Sequence, residues 1–131
     1  MFSTVRCSAN DSVSRSIAGS VKRGNGTGFA LVDYTSFAWD KVCIFGPYTP
    51  GSKIEAGTGI PGAARHAYDI ESRDDIDALL FVHGGGIALS IAHSRQSGDF
   101  GPEVVGKCYS KAQAVFSVRT PPEGSWGTIG P

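Results

Sequence analysis

Two apolar runs separated by three consecutive glycines constrain the fold of this 131-residue chain more than any other feature. The stretch reads DALLFVHGGGIALSIAHS and covers residues 77–94. Glycine supplies the positive φ angles that tight turns between antiparallel strands require. Ile87, Leu89 and Ile91 alternate with small residues, which places those three side chains on one face of a strand. The pattern therefore predicts an antiparallel β-hairpin.

The remaining segments predict one domain over residues 1–131. A helix begins at Asn10 or Asp11 and ends before Gly24, and a short helix in PGSKIEAG ends at Gly57 or Gly59. FALVDY, KVCIF, ARHAYDI and KAQAVFSVR each resemble strands, whereas residues 1–10 and 121–131 are expected to be loose. Because the β–α alternation of parallel sheets is missing, we expect an α+β fold. It would be a mostly antiparallel sheet of four to six strands with one or two helices packed on one face.

Charge and hydropathy exclude several classes of function. The chain carries 12 basic and 12 acidic residues, so general attraction to nucleic acid has no electrostatic basis. We expect no membrane span, because no segment is sufficiently long and apolar. The first ten residues lack the apolar stretch of a signal peptide. The chain as written therefore predicts a cytoplasmic protein, or an exported one if a leader has been removed.

No catalytic, metal or cofactor motif is complete. Gly46, Gly51 and Lys53 mimic a phosphate-binding loop, but Ser52 interrupts the motif, and proline lacks the backbone N–H that cradles a phosphate. HGGG at residues 83–86 lacks the partner motif of a lipase nucleophile. The histidines have no metal-ligand spacing. We predict no catalytic residue, no metal ligand and no cofactor.

The three cysteines, Cys7, Cys43 and Cys108, show no C-x-x-C spacing. Cys43 lies inside an apolar run and is most simply a small core residue. A bridge between Cys43 and Cys108 requires their strands to be neighbours, which the sequence leaves open.

Aromatic side chains are concentrated in FAWDKVCIFGPYTP, residues 37–50. Large aromatics beside a carboxylate can build a recognition surface, and they can equally form the edge of a core. SRQSGDF, residues 94–100, leaves the predicted hairpin, so the two segments would meet at one end of a shared sheet. We expect Trp39 to approach Arg95, with Asp40 or Asp99 paired to that arginine. The candidate binding residues are Trp39, Asp40, Tyr48, Arg95, Asp99 and Phe100.

WDKVCIFGPYT resembles a motif of small, mostly uncharacterised bacterial proteins, many of them similar to exported or lipid-anchored domains. The resemblance extends over residues 29–100 and includes Arg95 and Gly98-Asp99-Phe100. Cys43 departs from the motif, because an aromatic residue is common there. The resemblance implies a small α+β domain used for binding and inhibition in bacterial envelopes, and it implies no known reaction.

These observations favour a non-enzymatic domain that binds a protein or a small-molecule partner. The alternatives are a small enzyme that uses dispersed residues, such as Asp40 or Asp99 with a histidine, and an accessory protein of a mobile element that acts through homo-oligomer contacts.

Overall fold

A computed structural model describes residues 3–120 and 126–131, without the side chains of residues 3–11. The helices are α1 (Ser3–Arg23) and α2 (Gly51–Thr58). The strands are β1 (Gly28–Ala30), β2 (Lys41–Phe45), β3 (Ile76–His83), β4 (Gly86–Ser94), β5 (Asp99–Phe100), β6 (Lys107–Ser110), β7 (Val115–Arg119) and β8 (Thr128–Gly130). Short 3₁₀ turns occupy Leu31–Tyr34, Ala63–His66, Ile70–Ser72 and Arg95–Ser97. The predicted α+β fold is confirmed.

The strands form two four-stranded sheets. The central sheet has the order β4-β3-β2-β6, and all its neighbours are antiparallel. The second sheet has the order β1-β7-β8-β5, in which β5 and β8 run parallel. Every other pair in the second sheet is antiparallel, in keeping with the mostly antiparallel arrangement expected from the sequence.

Both faces of the central sheet are buried, which explains the continuous apolar runs of β2 and β3. On one face, Leu79 and Phe81 pack with Ile17 of α1 and with the second sheet. On the other face, Leu80 packs with Ile54 of α2. The two helices thus lie on opposite faces of this sheet, so the prediction that they pack on one face is wrong: the apolar residues of β2 and β3 face both sides and need a cover on each.

The predicted hairpin is confirmed as β3 and β4, joined by Gly84 and Gly85 at φ 58° and 81°. The prediction that Ile87, Leu89 and Ile91 share one face of the second strand is wrong for Ile87. The register shifts at Phe81/Val82, so Ile87 packs on the α2 side while Leu89 and Ile91 pack on the α1 side. A bulge inserts one residue and thereby reverses the alternation of side chains.

The helix predictions are confirmed, with corrected limits. α1 begins at Ser3, ahead of the predicted cap at Asn10 or Asp11, so residues 3–10 are helical rather than loose. This segment contains neither glycine nor proline to stop the helix. α2 matches its prediction and is followed by the capping residue Gly59, whose φ of 75° is the left-handed conformation that favours glycine.

Strand predictions succeeded for KVCIF, which is β2, and for residues 115–119 of KAQAVFSVR, which form β7. FALVDY is extended only to Ala30 and then enters a 3₁₀ turn. ARHAYDI is not a strand, because Tyr68 and Asp69 adopt a φ of 58° that breaks an extended chain. The tail predicted as loose contains β8, with Ile129 buried; residues 121–125 of that prediction lie outside the described residues.

The disulfide between Cys43 and Cys108, which the sequence could not decide, is present. Cys43 and Cys108 occupy directly opposite positions on β2 and β6 and form a disulfide. Neither described helix is long and apolar enough to cross a membrane.

Candidate functional site

The predicted site residues are divided between opposite ends of the central sheet. At one end, Asp40 N–H donates to the Val82 carbonyl over 2.7 Å; at the other, Arg95 N–H donates to the Asp75 carbonyl over 3.1 Å. At about 3.3 Å per residue, the strand between Asp75 and Val82 spans roughly 20 Å. The expectation that Trp39 approaches Arg95 is therefore wrong. We call the first end, with Trp39, Asp40, His83 and Gly84, the turn end, and the second, with Tyr48, Asp74, Arg95 and Trp126, the loop end.

Trp39 at the turn end is a core residue. Its side chain is 2% exposed and packs edge-on against Phe81, with ring centroids 5.0 Å apart. The indole N–H donates to Thr35 Oγ1 over 2.9 Å, which satisfies the polar atom of this buried ring. The Lys111 ammonium covers the ring at 5.6 Å. These contacts assign Trp39 to the core.

Asp40 stabilises the glycine turn. Its Oδ2 accepts the Gly84 N–H over 2.8 Å, and its Oδ1 lies 3.3 Å from His83 Nδ1. The Gly84 N–H is the main cause that lowers the pKa of Asp40 below its ordinary value. The carboxylate therefore accepts a hydrogen bond from a turn whose left-handed backbone depends on glycine, and Asp40 does not pair with Arg95.

At the loop end, the predicted pairing of Arg95 with Asp99 is present. The guanidinium donates through Nε and Nη2 to the two carboxylate oxygens, each over 2.9 Å, and through Nη1 to the Asp74 carbonyl over 2.6 Å. The guanidinium carbon also lies 5.2 Å from the centroid of the Trp126 ring. Phe100, which follows Asp99, is 3% exposed and belongs to the core. The Arg95 side chain is thus fixed on several sides.

Tyr48 is the predicted aromatic site residue that the fold leaves exposed. Its side chain is 60% exposed, and its φ of 64° is left-handed, which is unusual for a residue with a side chain. The Tyr48 N–H donates to the Ile70 carbonyl over 2.7 Å, which holds this backbone in place. The Asp74 carboxylate beside the phenol raises the pKa of Tyr48 above its ordinary value. Tyr48 therefore approaches Asp74 at the loop end.

Tyr48 stands at the mouth of a cleft of about 870 Å³. The walls are the Gly46–Pro50 loop, α2 and the segment Val105–Gly106. Most lining side chains are apolar or aromatic, and among the described lining residues Lys53 carries the only charge. A second hollow of about 440 Å³ lies beside Asp74, Arg95 and Trp126.

Sequence reasoning missed Trp126 and Val105. Trp126 lies in a tail expected to be loose, yet it is held beside Arg95 because Asp99 N–H donates to the Gly127 carbonyl over 2.9 Å. Val105 reaches the cleft because Gly106 N–H donates to the Ile44 carbonyl over 2.6 Å. Both placements depend on pairings between distant segments, and only the tryptophan itself offered a sequence signal.

A buried polar group lies beneath the loop end, on the α1 side of the central sheet. Asp77 on β3 faces His93 on β4, and both are 0% exposed. Asp77 Oδ2 accepts the Phe100 N–H over 2.9 Å, and Ser14 Oγ lies 2.6 Å from His93 Nδ1. Burial raises the pKa of Asp77 and lowers the pKa of His93, so both groups are neutral at pH 7.

This buried group joins elements of the fold. Asp77 links β3 to β5, and His93 links β4 to α1. A serine beside a histidine is the pair used in nucleophilic catalysis, but the pair needs an accessible position for the reacting carbonyl. His93 is fully buried, which favours a structural role for its bond to Ser14. No group of three histidine, cysteine or acidic side chains suited to a metal occurs among the described residues.

No protein-family model matches this chain, and comparisons with curated proteins and with solved structures find no match either. The resemblance carried by WDKVCIFGPYT therefore stays a prediction. The candidate site is defined by its own geometry: an exposed, conformationally unusual tyrosine above an apolar cleft, beside an arginine fixed between an aspartate and a tryptophan.

Proposed function

We propose that this protein is a non-enzymatic binding domain that holds an apolar side chain of a partner protein in the cleft beneath Tyr48. The observation that carries the proposal is the exposed Tyr48 side chain on a left-handed backbone.

The backbone of Tyr48 is energetically unfavourable without a compensating role. A left-handed conformation costs a residue with a side chain roughly 1–2 kcal/mol, a cost that glycine avoids. At 60% exposure, little of that cost returns as burial of the ring. Conformations of this kind cluster at ligand-binding sites. A tyrosine displayed for contact explains both the strain and the exposure.

The size and apolar lining of the cleft restrict which side chains of a partner can bind in it. Its volume of about 870 Å³ lies in the range of ligand sites, which are mostly apolar with few polar groups. Pro47 and Pro50 line it and leave no N–H to solvate, and Lys53 supplies one cation. The best fit is an aliphatic or aromatic side chain with at most one anionic group nearby.

The loop end provides a preorganised surface next to the cleft, which it shares at Tyr48. Tyr48 and Trp126, exposed by 60% and 42%, are two of the large apolar side chains that the described structure presents to solvent. Tyrosine, tryptophan and arginine are enriched at the energetic centres of protein interfaces. Because Asp99 already holds Arg95, which stacks against Trp126, little side-chain entropy remains to be lost on binding.

A displayed library of short peptides tests the proposal. Peptides recovered by the wild-type protein should contain an apolar anchor, and calorimetry should show at least about tenfold weaker binding by Tyr48→Ala. Val115→Ala is the matched control, because Val115 is 52% exposed on β7, away from the cleft. Failure to recover any peptide, or equal binding by Tyr48→Ala, would contradict the proposal.

The alternatives make different predictions. If the loop end binds a second copy of the chain, the Tyr48→Ala variant should sediment with a lower mass than the wild-type protein. The dispersed-enzyme alternative has weaker support, because Asp40 is engaged by the Gly84 N–H and His93 is buried.

A further inference from the structure

The disulfide adjoins residues that line the cleft. Cys43 precedes Ile44 and Phe45 on β2, which leads into the Gly46–Pro50 wall, and Cys108 lies two residues after Gly106 in the opposite wall. Cys108 Sγ is 3.2 Å from the carbonyl oxygen of Gly57, which lines the third wall on α2. The bridge is therefore the covalent link between two of the three walls.

The walls also approach one another closely. A Cβ added at Gly46 would lie in van der Waals contact with the Val105 side chain, at 3.4 Å, so these two walls stand about one methyl group apart there. β6 is a four-residue edge strand that pairs with β2 alone in the central sheet. A short strand paired on one side has little local stability, so the covalent bond matters most here.

We propose that the Cys43–Cys108 bridge is a site of reversible thiol–disulfide exchange that sets the width of the cleft. Cys43 is fully buried and Cys108 is half-buried, so the Cys108 sulfur is the more accessible target for an external thiolate. The reaction partner is a small dithiol, which the proposal requires as reductant. The effect on affinity rests on the binding function proposed above, whereas the change in the cleft does not.

The exchange is balanced as two displacements. One thiolate of the dithiol attacks Cys108 Sγ, a mixed disulfide forms, and Cys43 leaves as a thiolate that takes up a proton. The second thiol of the reagent then displaces Cys108, which is also protonated, and the reagent becomes a disulfide. Two electrons and two protons pass to the protein.

The fold accommodates the reduced form. In the oxidised protein, Cys108 Sγ lies 3.2 Å and Cys43 Sγ 4.0 Å from the Gly57 carbonyl oxygen. A thiol formed by reduction therefore has a hydrogen-bond acceptor nearby. Reduction should release β6 and Val105 locally while the core strands β3 and β4 remain folded.

Hydrogen exchange of the full chain carrying Cys7→Ser tests the inference, because this background contains only the paired cysteines. Dithiothreitol should accelerate amide exchange in residues 105–110 and 46–49 by about tenfold and leave β3 within about twofold. The Cys43→Ser, Cys108→Ser double variant should exchange its amides as fast as the reduced protein, and dithiothreitol should not change its exchange rates. Unchanged exchange at residues 105–110 would overturn the proposal that the bridge holds this part of the cleft. Unfolding of β3 as well would show that the effect of the bridge is not local.

Binding provides the second readout. A peptide selected by the oxidised protein should bind at least about fivefold more weakly after reduction, as expected when a preorganised site loosens. If no peptide is selected, the proposed function fails and hydrogen exchange still decides the inference. If a peptide binds both redox forms equally, the function stands and the redox control is wrong.

Discussion

The two ends of the central sheet use similar residues for different purposes. The turn end has Trp39, Asp40 and His83, and the loop end has Tyr48, Asp99 and Arg95. At the turn end the aromatic ring is 2% exposed, and the carboxylate binds a backbone N–H of the hairpin. At the loop end the aromatic ring is 60% exposed, and the carboxylate positions an arginine beside Trp126. An aromatic residue beside an acid is thus ambiguous until its surroundings are known.

The difference follows from what lies above each ring. Trp39 is covered by Phe81 and Lys111, so its removal would leave a cavity. Tyr48 follows the end of β2 in the Gly46–Pro50 loop, where its ring borders an open cleft. The turn end should therefore respond to mutation through stability and the loop end through binding.

The largest expected effect is at the turn end. Trp39→Ala should lower the free energy of unfolding by roughly 3–5 kcal/mol, because a large buried aromatic is removed from the core. Denaturant titration measures the change. Peptide affinity at low temperature should be unaffected in the fraction that remains folded. A loss below about 1 kcal/mol would show that the ring contributes little to the core.

The glycine turn should show the next largest effect. Joint replacement of Gly84 and Gly85 by valine should cost roughly 1–3 kcal/mol, because both positions have left-handed φ angles that a β-branched residue adopts poorly. Thermal unfolding compares this variant with Gly84→Asn, which tolerates the conformation better. Equal midpoints for the valine variant and the wild type would contradict the hairpin geometry.

The buried carboxyl beneath the loop end should make stability depend on pH. Burial raises the pKa of Asp77 to about 8, so the folded chain keeps a proton that the unfolded chain has already released, and stability falls as pH rises towards 8. The pKa of His93, lowered to about 4, gives the opposite trend, but only below pH 6.5. Of these two groups, only Asp77 contributes between pH 6.5 and 8, and its effect should amount to about 1–2 kcal/mol.

Asp77→Asn tests this dependence. The amide oxygen can still accept the Phe100 N–H, while the titration is removed, so the fall in unfolding free energy between pH 6.5 and 8 should disappear. Asp40→Asn at the turn end is the matched control and should keep the wild-type slope, because the pKa of Asp40 is lowered rather than raised. A slope that persists in Asp77→Asn would assign the titration to another group.

The smallest stability effect should be at Tyr48. Tyr48→Gly removes an exposed ring and relieves the left-handed strain, and the added flexibility of glycine offsets part of the gain. The free energy of unfolding should change by no more than about 0.5 kcal/mol, while affinity for a selected peptide falls. A loss above about 2 kcal/mol would place Tyr48 with Trp39 as a structural residue.

Several parts of this fold were readable from local patterns. The hairpin, β2 and α2 were each predicted, because glycine conformations and apolar runs act within a few residues. The pairing of Arg95 with Asp99 was anticipated as one of two choices, because the residues lie close together in sequence. Local propensity failed in ARHAYDI, where Tyr68 and Asp69 are left-handed and the Tyr68 hydroxyl donates to the distant Ser90 carbonyl over 2.8 Å.

The amino-acid sequence by itself determined the α+β class, the hairpin and the composition of the aromatic segment. Only the tertiary structure decided which aromatic residue was buried, that Cys43 faces Cys108, and that Trp126 stacks on Arg95. The physical reason is the range of the interactions. Turn conformations and side-chain periodicity depend on neighbours in the chain. The burial of Trp39, the disulfide and the cleft depend on strands that are distant in sequence and become adjacent only when the sheets form.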